Sequence, residues 1–92
     1  PVIDKLPDGR YVVDGKAPTG RVGELLGVEI GGEEWDTVGG WLIGQNPELR
    51  TGDAWRHGEW SFIVKDKGRH RIRTVEIERV GPAEGSASGD GE

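Results

Sequence analysis

Four carboxylates lie close together in the middle of the sequence. They are Glu29, Glu33, Glu34 and Asp36. Carboxylate oxygens are the ligands that Mg²⁺ and Ca²⁺ prefer, so Glu33, Glu34 and Asp36 are weak candidates for a cation-sensing site. The alternative is a solvated loop whose last acid, Asp36, caps the helix that follows. We favour the solvated loop and therefore expect no metal site.

Basic side chains gather near the end of the predicted fold. They are Lys65, Lys67, Arg69, His70, Arg71 and Arg73. Such a cluster is typical of a surface that faces anionic lipid headgroups, a nucleotide or an acidic partner domain. The alternative, which we favour, is ordinary charge on an exposed hairpin, partly paired with Glu76 and Glu78. If the cluster does bind a partner, the interaction patch consists of Lys65, Lys67, Arg69, Arg71 and Arg73.

No set of residues for nucleophilic or acid–base catalysis is evident. The chain has no cysteine, which removes thiolate nucleophiles and Cys-ligated zinc. The histidines are His57 and His70, and Ser61 lies in a predicted strand without a nucleophile-elbow sequence. The glycines over residues 39–44 match neither a P-loop nor a dinucleotide fingerprint. We therefore predict no catalytic residues and a protein that is not an enzyme.

The composition predicts one small domain. The chain has 92 residues, of which 33% are hydrophobic, and this is enough for a single modest core. Its net charge of −5 argues against nucleic acid as a partner. No apolar run approaches the roughly 20 residues of a membrane-spanning helix. Because the sequence starts at Pro1 and contains no Met, we expect a soluble fragment of a longer protein.

A strand and a helix are predicted in the first third of the chain. Residues 10–13 are β-prone and lie between two turn signals. Three apolar residues spaced at i, i+3 and i+4 predict one face of a helix over residues 19–26. They are Val22, Leu25 and Leu26. Gly27 then supplies a left-handed cap.

A second helix is predicted over residues 37–45, with Asp36 as its N-cap. Its buried face holds Val38, Trp41 and Leu42. Three glycines disfavour this helix by propensity, so it depends on packing. They are Gly39, Gly40 and Gly44. Close approach of another backbone is one physical reason for such glycines.

Three antiparallel strands complete the predicted fold. They cover residues 54–57, 60–65 and 70–80, with a two-residue loop at Gly58-Glu59 and a turn over residues 66–69. The apolar period of the last strand changes between Ile72 and Val75. We expect either a β-bulge near Arg73-Thr74 or a strand that is covered on both faces. The order of elements predicts an α+β fold, in which two short helices pack on a small antiparallel sheet that ends in a three-stranded meander.

Four segments of the chain form a recognisable series. They are residues 8–15 (DGRYVVDG), residues 23–28 (GELLGV), residues 36–43 (DTVGGWLI), and residues 52–75 with Gly52, Asp53, Gly58, Phe62, Val64, Arg71, Ile72 and Val75. In order and spacing they resemble the C-terminal transporter-associated domain of CorC/HlyC-type proteins. The resemblance implies a domain over residues 6–80 and leaves residues 81–92 as an acidic tail, which we expect to be disordered.

The chain departs from the usual pattern of that family at a few positions. Thr19 and Gly20 stand where an apolar and an acidic residue are usual, which favours a late start of the first helix. Trp41 and Trp55 replace aliphatic residues. We expect both tryptophans in the core, where an indole N–H needs a partner.

The resemblance also implies a function. In the family the domain follows a membrane region and a pair of CBS domains, and the parent proteins are associated with magnesium and cobalt efflux or are labelled hemolysins. It therefore implies a non-enzymatic domain that regulates divalent-cation transport at the cytoplasmic face of the cell membrane. The implied partners are the CBS pair and membrane region of its own chain, or a second copy in a homodimer. No cofactor is expected. The alternative is an adenine- or flavin-nucleotide (FAD) binding module, because the fold is similar to a subdomain of FAD-binding proteins.

Overall fold

Five antiparallel strands and two helices make up the computed structural model, which describes residues 2–81. The elements are β1 (Ile3–Lys5), β2 (Tyr11–Asp14), α1 (Thr19–Leu26), α2 (Val38–Gln45), β3 (Ala54–His57), β4 (Trp60–Lys67) and β5 (Ile72–Arg79). The strand order is β1-β2-β5-β4-β3, so the last strand lies at the centre of the sheet. The predicted α+β class and the C-terminal meander are confirmed. Apart from Gly81, the tail that we expected to be disordered lies outside the described residues.

Helix α1 has the predicted bounds. It begins at Thr19, so the departure from the family pattern there does not delay it, and Gly27 ends it with a φ of 79°. The buried residues are Thr19, Val22, Gly23 and Leu26. The prediction for Leu25 is wrong, because this side chain is 45% exposed. The buried face runs through positions 19, 22, 23 and 26, and Leu25 is rotated by about 100° from Leu26.

Helix α2 is capped by Thr37, and the prediction of Asp36 as the N-cap is wrong. The N–H of Gly40 donates to Thr37 Oγ1 at 3.2 Å. Aspartate and threonine are both favoured caps, so two adjacent candidates do not decide the boundary. The Asp36 carbonyl accepts instead from the N–H of Thr19 at 3.0 Å. The predicted buried face is confirmed, with Val38, Trp41 and Leu42 all at most 4% exposed.

The glycines of α2 are needed for two different kinds of contact. A Cβ on Gly39 would lie 2.9 Å from the carbonyl oxygen of Ile72 and 3.0 Å from that of Gly15, which confirms the predicted backbone approach. Gly15 is tighter still, since its Cβ would lie 1.9 Å from the Ile72 oxygen. At Gly44 the space is filled by the ring of Trp35, 2.3 Å from the position of a Cβ.

The meander follows the prediction closely, including its irregularity. His57 and Trp60 pair directly across the two-residue loop. Between β4 and β5 the register shifts twice, and one shift leaves Arg73 as an extra residue on β5. This is the predicted bulge, and it buries both Ile72 and Val75, which are 1% and 0% exposed. Strand β4 continues to Lys67, two residues further than predicted.

Strand β1 is absent from the sequence prediction. It has only three residues, Ile3–Lys5, which is too few for an alternating pattern to stand out. Its place is set by pairing, because Ile3 lies opposite Val13 at the edge of the sheet.

The core lies between the two helices and one face of the sheet. Its buried members are Val13, Ala17, Val22, Leu26, Ile30, Val38, Trp41, Leu42, Leu49, Phe62, Val64, Ile72, Val75 and Ile77. Trp41 is 4% exposed, and its ring meets Phe62 edge-on at 5.1 Å between centroids. Trp55, also expected in the core, is only partly buried and packs against its margin. The opposite face of the sheet carries Glu76, Ser61 and Ile63.

Candidate functional site

Three of the five cations in the predicted interaction patch are held by neighbouring groups. Lys65 Nζ lies 3.7 Å from Glu76 Oε1. Lys67 Nζ donates to the carbonyl oxygen of Leu49 at 2.5 Å. The guanidinium of Arg73 lies 3.9 Å from a carboxylate of the same hairpin. These three side chains therefore already have partners within the hairpin and its neighbours, so they are less available to a ligand than an unpaired cation.

The remaining cations lie in the turn over residues 68–71, between β4 and β5. Arg69 and Arg71 are exposed, and so is His70. Within residues 2–81, none of the three side chains has an ion pair or hydrogen bond. The structure thus retains Arg69 and Arg71 of the predicted patch as available charges.

A cavity of about 290 Å³ opens beside this turn on the helix side of the sheet, and we call it the 68–71 pocket. It is lined by Gly15, Lys16, Trp35, Thr37, Gly39, Gly40, Ile43, His70, Arg71 and Ile72. Sequence reasoning missed Lys16, Trp35 and Thr37 as site residues. The sequence signal that these three residues meet consists of Gly15 and Gly39. Close backbone approach at these glycines brings segments that are distant in the chain together.

Backbone hydrogen bonds hold the walls of the 68–71 pocket in place. The N–H of Gly15 donates to the carbonyl of Arg73 at 2.7 Å, and the N–H of Gly39 donates to the carbonyl of Gly15 at 2.9 Å. The N–H of Val38 donates to Ala17 at 3.0 Å. The loop after β2, the start of α2 and the start of β5 are therefore joined directly, which fixes where Lys16 and Arg71 leave the backbone.

A larger groove lies at the opposite end of the sheet, beside the loop at residues 58–59, and we call it the 58–59 groove. Its volume is about 570 Å³. It is lined by Lys5, Asp8, Gly9, Arg10, Tyr11, Trp60, Glu78 and Arg79. The rings of Tyr11 and Trp60 lie 6.3 Å apart, and Lys5 Nζ lies 5.9 Å from the centroid of the Tyr11 ring. That distance fits a cation–π contact.

The arginines of the 58–59 groove are paired. Arg10 Nε donates to Asp8 Oδ2 at 2.7 Å, and Arg10 Nη1 donates to Glu76 Oε2. Arg79 Nη2 donates to Glu59 Oε1 at 2.6 Å. The Arg10 backbone N–H and then its guanidinium hold the pKa of Asp8 below its ordinary value. The side-chain hydrogen bond from Arg10 to Asp8 makes the largest contribution to raising the pKa of Arg10, and the hydrogen bond to Glu76 makes the next largest.

The candidate cation ligands do not come together. Glu33, Glu34 and Asp36 are exposed along the loop before α2. Within residues 2–81, no three His, Cys, Asp or Glu side chains lie close enough to hold a metal ion. The two histidines also lie apart: His70 is in the turn over residues 68–71, whereas His57 Nε2 bonds the Glu29 carbonyl at 2.8 Å, at the end of β3.

Comparison with known proteins identifies the family. The model of the CorC/HlyC transporter-associated domain matches residues 4–81. The chain belongs to this family. The UPF0053 protein YugS of Bacillus subtilis is 42% identical over 80 residues, which are 87% of this chain and 19% of YugS. YhdT of the same organism is 36% identical over 77 residues, or 84% of this chain and 16% of YhdT. The CorC/HlyC domain thus spans less than a fifth of these relatives.

Solved structures show the same fold. The CorC_HlyC domain of Nitrosomonas europaea superposes with a TM-score of 0.78 at 24% identity, covering 86% of this chain and 96% of that one. A structure from Neisseria meningitidis, named as a Mg²⁺ and Co²⁺ transporter (CorC) associated region, gives a TM-score of 0.79 at 25% identity and covers 87% and 100%. A transporter-associated domain from a CBS domain protein of Porphyromonas gingivalis gives 0.70 at 26% identity and covers 84% and 95%. Neither helix among the described residues is long and apolar enough to cross a bilayer.

Proposed function

We propose that this CorC/HlyC domain is a non-enzymatic regulatory module. It modulates the transport of divalent cations such as magnesium or cobalt, and the direction of that transport is efflux. The observation that carries the proposal is the likeness to the Neisseria meningitidis structure, whose name associates it with a Mg²⁺ and Co²⁺ transporter. The family assignment over residues 4–81 supports the same role.

The proposed setting is the cytoplasmic face of the cell membrane, within an integral membrane protein. The length of a relative supports a longer parent chain, because the domain spans only 19% of YugS and more than four-fifths of that protein lies outside it. The Porphyromonas gingivalis neighbour comes from a CBS domain protein, which supports CBS domains as partners of this domain in its own chain. The proposal adds a membrane region as a second partner there. A second copy of the domain is a further partner that the proposal includes.

A non-enzymatic role is supported by how the polar groups are used. Within residues 2–81, the buried polar or charged residues are Thr19 and Glu76. Thr19 Oγ1 donates to the Trp35 carbonyl at 2.8 Å, and Glu76 is paired with Arg10 and Lys65. Both side chains therefore hold elements of the fold together, which is the usual structural use of a buried polar group and is consistent with a regulatory module.

Reconstitution tests the regulatory role. The full-length protein that contains this domain is compared in proteoliposomes with the same protein lacking residues 2–81, and Mg²⁺ flux is followed with a fluorescent indicator. We expect equal insertion but a changed flux rate or a changed dependence of flux on Mg²⁺. A full-length Gly20→Ala variant is the control, because a methyl group at that exposed position meets nothing within 4 Å. Identical flux with and without the domain would contradict the proposal.

A cation-sensing site at Glu33, Glu34 and Asp36 is the alternative that we did not favour, and it can be tested directly. Because these carboxylates are exposed, any site there must recruit water or a partner to complete its ligand set. Isothermal titration of the 92-residue chain with Mg²⁺ and with Co²⁺ tests it. Heat that disappears in the double variant Glu33→Gln, Glu34→Gln would support the site, and no heat at millimolar metal would rule it out.

The nucleotide-binding alternative also stays a prediction. A ligand that binds only the folded state raises the melting temperature by mass action. A rise in the melting temperature with FAD or ATP would support this alternative. An unchanged melting temperature at FAD or ATP concentrations that saturate ordinary nucleotide sites would rule out the nucleotide-binding alternative.

A further inference from the structure

We propose that the 68–71 pocket binds a phosphate-bearing anion. Lys16 and Arg71 line it together with His70, and they come from segments that are more than fifty residues apart in the chain. Phosphoryl oxygens are recognised by guanidinium forks and ammonium groups that converge on one point, and this pocket supplies one of each. The inference does not depend on a role in cation transport.

The cations of the pocket are available because the nearby carboxylates have other partners. Asp14 Oδ1 accepts from the backbone N–H of Lys16 at 2.8 Å, which closes the turn after β2. Asp66 lies 3.9 Å from Arg73. Among residues 2–81, the side chains of Lys16 and Arg71 have no ion pair or hydrogen bond, and no Asp or Glu lines the cavity.

One hydroxyl adds a donor to the pocket. Thr37 Oγ1 already accepts from the Gly40 N–H at 3.2 Å, so its own O–H proton is free to donate to an anion. The first N–H groups of α2 are not available, since those of Val38 and Gly39 donate to the backbone of Ala17 and Gly15. Binding therefore depends on side chains, and the helix dipole contributes only a secondary attraction.

The remaining wall of the pocket is apolar. The Trp35 ring lies against Gly44 and Gly40, and Ile43 completes the same surface. Apolar walls lower the local dielectric, which strengthens the attraction between a bound phosphate and the two cations. Tight seating of the ring on Gly44 also keeps this wall in place.

The size of the pocket limits the ligand. Its volume of about 290 Å³ is just below the roughly 300–1,000 Å³ of pockets that enclose drug-sized ligands. It fits a pyrophosphate group or a lipid phosphate headgroup, and a whole dinucleotide would extend far beyond it. The shared chemistry is a terminal or bridging phosphoryl group, carried by a soluble metabolite or by an anionic lipid.

Two titrations of the 92-residue chain test the proposal and distinguish these sources. Inorganic pyrophosphate is titrated calorimetrically, and binding to vesicles of phosphatidylcholine is compared with binding to vesicles that also contain phosphatidic acid. The variants are Lys16→Ala and Arg71→Ala. The control is Arg21→Ala, which removes the same charge from an exposed position on α1, outside the pocket. All three substitutions are at the surface, and unchanged melting temperatures verify that each variant is folded.

We expect binding to one of the two probes, with the affinity reduced about tenfold by Lys16→Ala and by Arg71→Ala and unchanged by Arg21→Ala. Arg71→Lys should lose less than Arg71→Ala, because it keeps the charge without the planar fork. Pyrophosphate binding identifies a soluble ligand, and binding only to the anionic vesicles identifies a lipid headgroup. Binding to neither probe, or an equal loss in Arg21→Ala, would overturn the proposal.

Discussion

Both ends of the sheet carry basic residues, but the arginines of the 58–59 groove are bonded to carboxylates, whereas within residues 2–81 Arg69 and Arg71 of the turn over residues 68–71 are not. At the 58–59 end, Arg10 is bonded to Asp8 and Glu76, and Arg79 is bonded to Glu59. At the 68–71 end, Lys16, Arg69 and Arg71 have no such carboxylates within the described chain. The larger cavity lies at the paired end and the smaller cavity at the unpaired end.

On the proposal made above, an anion binds where cations lack carboxylate partners, and neither the number of cations nor the size of a cavity decides the site. A guanidinium that already lies beside carboxylates attracts a phosphate less strongly, because those carboxylates offset its charge and repel the anion. An unpaired cation on the surface gives up only water. We therefore assign structural work to the 58–59 end and ligand binding to the 68–71 end.

The largest expected effect comes from Gly15→Ala. The new Cβ would lie 1.9 Å from the Ile72 carbonyl oxygen, so the backbone at the 68–71 end must move apart. We expect the free energy of unfolding to fall by about 3 kcal/mol or more, measured by urea denaturation. The matched control is Gly20→Ala in α1, which meets nothing within 4 Å and should gain about 0.5–1 kcal/mol. Equal stability of the two variants would contradict the backbone contact.

A smaller loss is expected from Glu76→Gln. This substitution removes the β5 carboxylate that is shared by Arg10, just before β2, and Lys65 on β4. Because both cations are about half exposed, we expect a loss of only about 1.5 kcal/mol in the free energy of unfolding. Arg71→Ala at the unpaired end should change it by less than about 0.5 kcal/mol. If Arg71→Ala costs as much as Glu76→Gln, the contrast between the two ends is wrong.

Gly44→Ala should lower the free energy of unfolding by about 1 kcal/mol, because the loss of packing exceeds the gain in helix propensity. A methyl group there would lie 2.3 Å from the Trp35 ring and displace it. Thermal denaturation measures the stability. Since the ring forms one wall of the 68–71 pocket, pyrophosphate affinity should fall as well. Unchanged affinity would show that the apolar wall plays no part in binding.

The smallest effect concerns pH and Asp8. Its pKa in the folded protein is below the ordinary value, so its pair with Arg10 stabilises the protein above about pH 4 and is lost as the pH falls through the folded-state value. Asp8→Asn should therefore be slightly less stable than the parent at neutral pH. This difference in stability between the variant and the parent should disappear at acid pH. Melting curves of both proteins from neutral to acid pH measure this difference. A difference that grows in acid would contradict the stabilising role of the Asp8–Arg10 pair.

Much of the fold could be predicted because its signals are local. The spacing of Val38, Trp41 and Leu42 identifies α2, Gly27 ends α1, and the change of period after Ile72 locates the bulge. The misses arise where two local options are nearly equal or where the segment is short. Thr37 and Asp36 are both favoured caps, and β1 is defined only by its pairing with β2.

The candidate site could be predicted only in part, because it depends on tertiary contacts. Arg69 and Arg71 stand out in the sequence as members of a basic run. Lys16 does not, since it joins them only when the backbones of Gly15 and Gly39 meet that of Ile72. The expected pairing with Glu76 is seen at Lys65, but the sequence does not show that Lys67 is engaged, because its partner lies in a distant loop.

The most direct test of the contrast between the two ends is a titration of the ¹⁵N-labelled chain with pyrophosphate, followed by NMR. The account predicts that the amide shifts concentrate at the 68–71 pocket, around Lys16, Thr37 and Arg71, while those of Arg10 and Arg79 stay in place. Shifts concentrated around Arg10 and Arg79, or no shifts at millimolar pyrophosphate and none with phosphatidic acid vesicles, would contradict it.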